Sequence, residues 1–391
     1  MRHRLVLAGL AAALVLPLAA HAQADTARKG KKEKKEKAAG QRPLTPEEML
    51  AEQKKEQVKL DKARAKANTR ALFATTEPIA FTLVANYNGI AKDRDTLSTR
   101  RFWGTLVITD SAGAERRLPV QLRTRGHFRL LSRNCRFVPL KIEFADSGLK
   151  GTPFAGQKGL KLGTHCQNGD DRYDRYTRRE YLAYTAFNAV TEKSFRARLA
   201  SGTYVDSASG KVVATALAMF IENEDELAAR LGGKIREIRG ASFADLEPRQ
   251  LELVTLWEYA LGNTDISFFA LHNARIAQLP EGTVIPLIYD FDFSGLVNAH
   301  YAVPDPRMGI RTVRERKFRG PCHSEAEYQA AAQAFLGKRD AILAAIAAVP
   351  GFDKGEQQDA REWLTGFFDV LSNPGRLKRE IVESCEKRGG I

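Results

Sequence analysis

The sequence predicts an α+β protein with an antiparallel sheet in its N-terminal half and a mainly helical C-terminal half. Three observations carry that expectation. Runs rich in β-branched and aromatic residues at 79–87, 102–109 and 117–123 are bounded by turn formers, with the loop 110–115 joining the last two. Broad apolar stripes at helical spacing cover 176–190 and 251–261, and Ala-rich or amphipathic runs cover 325–349 and 356–371. Acid-bearing turns then follow an apolar helix and an apolar strand: Gly262-Asn263-Thr264-Asp265 and Asp290-Phe291-Asp292.

The ends of the 391-residue chain are set apart by composition. Arg2 and Arg4, an apolar run over 5–18 and Ala20-His21-Ala22 predict a secretory signal over 1–22, with the mature chain starting at Gln23. Residues 23–70 form a basic tail, disordered where 28–37 offer no apolar side chain to bury. From Thr45 to Arg70 the tail becomes helix-friendly, with Thr45 as N-cap, Pro46 in the first turn and Glu48 closing a capping box. Of the formal net charge of +14, Arg2 and Arg4 carry +2 and residues 23–70 carry +7 (15 basic against 8 acidic), which leaves +5 for 71–391. The basicity is thus largely a tail property, suited to an anionic envelope surface. The folded part has neither the basic stripe nor the aromatic motif of a nucleic-acid binder. No later stretch reaches the ~18 apolar residues of a membrane span, so the expectation is a soluble secreted or periplasmic protein.

An N-lobe-like α+β region is expected over 71–222 and a C-lobe-like region over 223–391. After Arg125-Gly126-His127-Phe128-Arg129 comes a strand over 137–144, and another over 158–164. If these pair as an antiparallel hairpin with Lys141 opposite Leu160, Cys135 falls opposite Cys166. Cys322 and Cys385 then pair by elimination among the four cysteines, an even number that suits an oxidising compartment. A helix over 176–190, a hairpin over 201–205 and 212–221, and a short helix over 226–231 precede the acidic segment. There 269–277 and 284–289 read as a β-hairpin that sets Asn273 beside Asp290.

The residue types at these turns suit a metal-nucleotide site. Phosphoryl transfer needs a carboxylate to orient the attacking hydroxyl, and hard oxygen ligands for the cations that neutralise the phosphates. Asp265 fits the first role, and Asn273, Asp290 and Asp292 fit the second.

The order of elements resembles the spore-coat-protein-H-type kinases. The likeness runs over about residues 78 to 300. It is carried by Arg125-Gly126 before the lysine-bearing strand Pro139-Leu140-Lys141-Ile142, by Glu180-Tyr181-Leu182-Ala183-Tyr184, by Phe220-Ile221-Glu222, and by the two acidic turns. The resemblance implies an atypical protein-kinase-like two-lobed fold that uses ATP, or another nucleotide, with Mg²⁺ or Mn²⁺. It makes Asp265 the catalytic carboxylate and Asp290 with Asp292 the metal-binding pair. Asn273 would be the second metal ligand, although it follows Asp265 by eight positions where the ordinary kinase motif has five. Glu180 would be the helix partner of a phosphate-gripping lysine, with Lys141 and Lys161 both open for that role. Arg125, Gly126 and Arg129 would cover the phosphates without a full glycine-rich motif, and Glu222 would mark the hinge edge.

The expected activity is phosphoryl transfer to a protein or small hydroxyl acceptor. The alternative is a non-catalytic envelope-binding protein held by its Lys-rich arm, because ATP is scarce outside the cytoplasm.

Overall fold

Strand-forming side chains that alternate between two faces end here in a closed sheet. The structure is a computed structural model, describing residues 45–110, 112–145 and 148–386. The expected signal segment and the basic run up to residue 44 lie outside the described residues. The chain divides into two units, Met1–Glu56 and Gln57–Ile391. Helix α1 (Pro46–Asn68) begins in the first. Its start is the expected capping box: the Thr45 amide donates to Glu48 Oε2 at 2.9 Å and the Glu48 amide to Thr45 Oγ1 at 3.3 Å.

In the second unit, seven strands close into a barrel: β1 (Ile79–Ala85), β2 (Phe102–Thr109), β3 (Glu115–Thr124), β4 (Leu140–Phe144), β5 (Gly159–Gly163), β6 (Ala197–Asp206) and β7 (Val212–Ile221). The order is β1-β2-β3-β4-β5-β7-β6. All neighbours are antiparallel except β1 and β6, whose parallel pairing from Ile79↔Ala200 to Ala85↔Asp206 closes the barrel. The expected antiparallel sheet is thus closed on itself, through one parallel pair. Closure removes the exposed edges of an open sheet. The first strand stops at Ala85 rather than residue 87, because the Asn86 side chain accepts the Gly89 amide at 2.8 Å and caps helix α2 (Tyr87–Lys92).

Leu83, Leu106, Leu122, Leu140, Ile142, Leu160, Leu162 and Phe220 fill the barrel, each fully buried. Each such side chain contributes about 1.5–3 kcal/mol of apolar burial.

The β4–β5 register is Lys141↔Lys161, one residue from the expected Lys141 opposite Leu160. That ladder continued would set Cys135 opposite Gln167. The chain leaves the ladder instead, and the amides of Arg136 and Phe137 both donate to the Cys166 carbonyl at 3.0 Å. This irregular turn brings Cys135 and Cys166 to a Cα separation of 4.7 Å, and they are disulfide-bonded. Cys322 and Cys385 form the second bridge. Among the described residues no helix is long and apolar enough to cross a membrane.

Beyond the barrel the chain is mainly helical. Helix α3 (Arg172–Asn188) buries Tyr181, Leu182, Tyr184 and Phe187. Helix α4 (Glu224–Arg230) is capped by Asn223, two residues earlier than the sequence pattern placed it. A three-stranded sheet follows in the order β10-β9-β8, from β8 (Lys234–Arg236), β9 (Ala274–Gln278) and β10 (Val284–Ile288).

Helix α5 (Pro248–Leu261) is the centre of the second core. Glu247 accepts the amides of Arg249 and Gln250 at 3.0 and 2.7 Å, and Pro248 sits where its missing N–H costs nothing. Trp257 stacks at 5.4 Å on Phe187 and 6.1 Å on Phe335.

The helical run expected over 325–349 is two helices, α6 (Glu325–Leu336) and α7 (Arg339–Ala347), broken at Gly337-Lys338. Helix α8 (Lys354–Ser372) packs against both of them, and α9 (Pro374–Leu377) follows.

Candidate functional site

Helix α5 ends because Gly262 adopts φ +68, a left-handed C-cap. A side chain there would meet Trp363 at 2.9 Å and the Val313 carbonyl at 3.1 Å, so glycine is required twice over. The chain turns sharply into Asn263, whose side-chain oxygen accepts the Asp265 amide at 3.1 Å. The Asp265 carboxylate then receives His272 at Oδ1 (2.9 Å) and the Asn273 amide at Oδ2 (3.1 Å). Asn273 Nδ2 also donates to the Asp265 carbonyl at 2.8 Å, so Asn273 is left with its oxygen to offer a cation.

The expected strand over 269–277 begins only at Ala274. Residues before it form a turn, with Leu271 at φ 54 and Asn273 at φ 50. The Tyr289 amide donates to the Asn273 carbonyl at 3.0 Å, extending the β9–β10 ladder by one pair. Asp290 follows at φ 69. Asn273 and Asp290 thus flank the open end of the hairpin, both in the left-handed region that Asn and Asp tolerate best. Such strain collects at functional sites.

In Asp290-Phe291-Asp292-Phe293 the side chains diverge. Phe291 is buried against Tyr184 at 4.8 Å, while Phe293 meets Phe128 edge-on at 5.0 Å. Asp290 is 37% exposed and lies 3.8 Å from the Arg125 guanidinium. Its amide donates to the Tyr184 hydroxyl at 2.9 Å. Asp292 is buried and accepts the Tyr301 hydroxyl at 3.0 Å. Burial first, and the Asp290 charge second, push the Asp292 carboxyl up to about 7. Burial also raises Glu180, with Asp290 and Asp292 adding to it, and Arg129 and Arg125 oppose the shift. Three carboxyls crowd one spot with too little positive charge, and a hard divalent cation held by Asp290, Asp292 and Asn273 would relieve it. The donor set fits Mg²⁺ or Mn²⁺.

The cations that reach these acids are Arg125 and Arg129. Arg123, Lys141 and Lys161 stand opposite one another across β3, β4 and β5. Among the described residues Lys161 pairs with Glu224 at 2.7 Å, not with Glu180. Its ammonium lies 3.7 Å from the centre of the Tyr289 ring, directly before Asp290. Burial lowers Lys161 to about 8, helped by Arg125 and Arg275 and opposed by Glu224.

Arg129 donates to the carbonyls of Thr164 and His165, both at 2.6 Å, which pins the loop after Gly126 (φ +87) over the acidic turn. Glu222 directly follows Ile221, which stands opposite Lys161 in the β5–β7 ladder. It is fully buried and held by Arg196 at 2.7 Å and Arg230 at 3.0 Å, a structural clamp at the end of β7.

Several contributors had no sequence signal. Tyr184 and Glu224 touch the Asp290 backbone and Lys161 across long sequence gaps, and Tyr301 folds back nine residues onto Asp292. Arg319 donates to the carbonyls of Thr264 and Ile266 at 2.8 and 2.9 Å, and so fixes the backbone on both sides of Asp265. Beside Asp265 opens a groove of about 690 Å³, lined by His272, Phe269, Phe293, Val303 and Met308.

No family model matches the chain, and no curated protein matches it. Among solved structures it is similar to the Helicobacter pylori proinflammatory kinase CtkA, with a TM-score of 0.31 and 12% identity over 63% of this chain and 89% of that one. A similarity at that level leaves the activity to be argued from the site.

Proposed function

We propose that the chain is an exported, metal-dependent phosphotransferase of two-lobed, kinase-like build that moves a phosphoryl group from ATP or another nucleotide to a hydroxyl of a protein or small molecule. The observation that carries this reading is the convergence of Asp265, Asn273, Asp290 and Asp292 at one hairpin end, facing Arg125 and Lys161. Magnesium or manganese bound there would neutralise phosphate charge.

The chain's own residues do the rest. Lys161 and Arg125 attract phosphate oxygens, and Arg129 holds the covering loop in place. Asp265 borders the groove and orients the acceptor hydroxyl, taking its proton as the oxygen–phosphorus bond forms and the bond from the terminal phosphorus to the departing nucleotide's bridging oxygen breaks. His272 and Asn273 hold that carboxylate in one rotamer.

The test is labelling with ATP, GTP and other nucleotides carrying a labelled terminal phosphate, in Mg²⁺ and in Mn²⁺. Asp265→Asn should keep nucleotide and metal binding and lose most transfer, because an amide takes no proton at neutral pH. Equal labelling by the Asn variant, or none by the wild type with any nucleotide, removes the catalytic assignment. The non-catalytic envelope-binding reading, with the Lys-rich arm as anchor, would then take its place.

A further inference from the structure

One buried acid stands directly behind the Asp265 turn and has no place in the chemistry above. Glu258, in the last turn of α5, is 3% exposed. Its carboxyl faces the Asn263 side chain, yet neither carboxyl oxygen nor Asn263 Nδ2, all three buried, completes a well-formed hydrogen bond. Three orphaned polar atoms at one place call for an explanation, since buried polar groups are nearly always paired.

We propose that Glu258 is a positioning residue: as a neutral acid it holds the Asn263 side chain, and through Asn263 it sets the carboxylate of Asp265. The inference rests on the reading of Asp265 as the acceptor-orienting group.

The geometry supports it in three steps. Among the described residues Glu258 has no ion-pair partner, and a buried carboxylate without a cation takes up a proton rather than remain charged. The charged groups facing it are Asp265, which disfavours ionisation, and Arg319, whose guanidinium is already bound to the Thr264 and Ile266 carbonyls and to Glu386. Burial accordingly raises the Glu258 carboxyl to about 8, and the facing Asn263 side chain opposes the shift.

A neutral acid and a primary amide are complementary. In the neutral form the acid O–H would donate to Asn263 Oδ1, and Asn263 Nδ2 would donate to the acid's carbonyl oxygen, which pairs all three atoms. Asn263 Oδ1 keeps its second lone pair for the Asp265 amide, the bond seen at 3.1 Å. The helix end supplies the rest of the anchor, with the Asn263 amide donating to the Glu258 carbonyl at 2.8 Å. An ionised Glu258 has no proton to donate, and the relay to Asp265 loosens.

The experiment compares the wild type with Glu258→Gln and Glu258→Leu and needs no nucleotide, so it stands or falls apart from the transfer assay. The first readout is the NMR titration of His272, assigned by the loss of its signal in His272→Ala. Its hydrogen bond to the Asp265 carboxylate raises His272 above its ordinary value. Wild type and the Gln variant should share that raised titration, because Gln also pairs with Asn263. In the Leu variant Asp265 drifts and His272 returns toward ~6.5.

The second readout is melting temperature against pH. A carboxyl raised on folding stabilises most below its unfolded pKa and loses that contribution as pH rises through about 8. The wild type should lose melting temperature relative to the Gln variant between about pH 5 and 8. Identical His272 titration in all three proteins, or parallel melting curves for wild type and Gln, would overturn the proposal. If the Leu variant does not fold, the Gln comparison alone decides.

Discussion

Breaking the Cys135–Cys166 bridge should weaken the phosphate side of the site as well as the fold. The bridge closes a 31-residue span that contains β4, β5 and the turn between them. Replacing both cysteines by alanine releases loop-closure entropy in the unfolded chain, and for a span of this length that amounts to ~3.7 kcal/mol. With an unfolding entropy of ~2.1 cal/mol/K per residue over the roughly 335 residues of the larger unit, the melting temperature should fall by ~5 °C.

The local consequence is more specific. Arg129 is held by the carbonyls of Thr164 and His165, immediately before Cys166. Cys135 and Cys166 also form a small core with Tyr173, Tyr176, Val297 and Ala299, beyond the acidic turn. Freeing that corner should loosen the loop over Asp290 and Asp292 and lower metal-dependent nucleotide affinity about tenfold, or ~1.4 kcal/mol. Thermal unfolding and calorimetric nucleotide titration in Mg²⁺, both at pH 7, measure the two effects. A double variant that melts like the wild type refutes the entropy argument. One that melts lower but binds nucleotide unchanged refutes the coupling of the bridge to Arg129.

Further outcomes are expected. Asp290→Ala and Asp292→Ala should each abolish metal-dependent nucleotide binding with little loss of folding, and calorimetry with and without Mg²⁺ checks this. Asp292 is raised to about 7 on folding, so its ionisation removes stability between about pH 4 and 7; Asp292→Asn should therefore raise the metal-free melting temperature at pH 8. Nucleotide affinity should decline as pH rises through about 8, where Lys161 loses its proton, and Lys161→Met should bind weakly at every pH. Glu222→Gln should cost about 3–5 kcal/mol of stability by leaving Arg196 and Arg230 without their shared buried partner. Unfolding in denaturant reads that loss, with nucleotide affinity of the folded protein unchanged.

Local chemistry alone determined much of the secondary structure. Composition and bounding turns marked β2, β3 and β7, because β-branched and aromatic side chains suit a pleated, half-buried surface. Helix α5 was legible from its apolar spacing over 251–261, with the acid-bearing turn as its end. The acid, Asn and Asp turns around 265, 273 and 290 were visible because those residue types favour turns and offer hard oxygen ligands.

Tertiary structure decided everything that depends on contacts between distant segments. Closure of the barrel needs β1 beside β6, more than a hundred residues apart, and no local pattern encodes that parallel pairing. Lys161 takes Glu224 rather than Glu180 because the strand register points its stem over Tyr289 and toward the start of α4. Glu222 looked like a site edge from its position after a strand, yet burial between two arginines gives its charge a structural task. The same limit hid Tyr184 and Arg319, while Tyr301 and Glu258, near their partners in sequence, were hidden because burial decides what they meet. Each acts through where its side chain ends in space, and a sequence states only where the side chain begins.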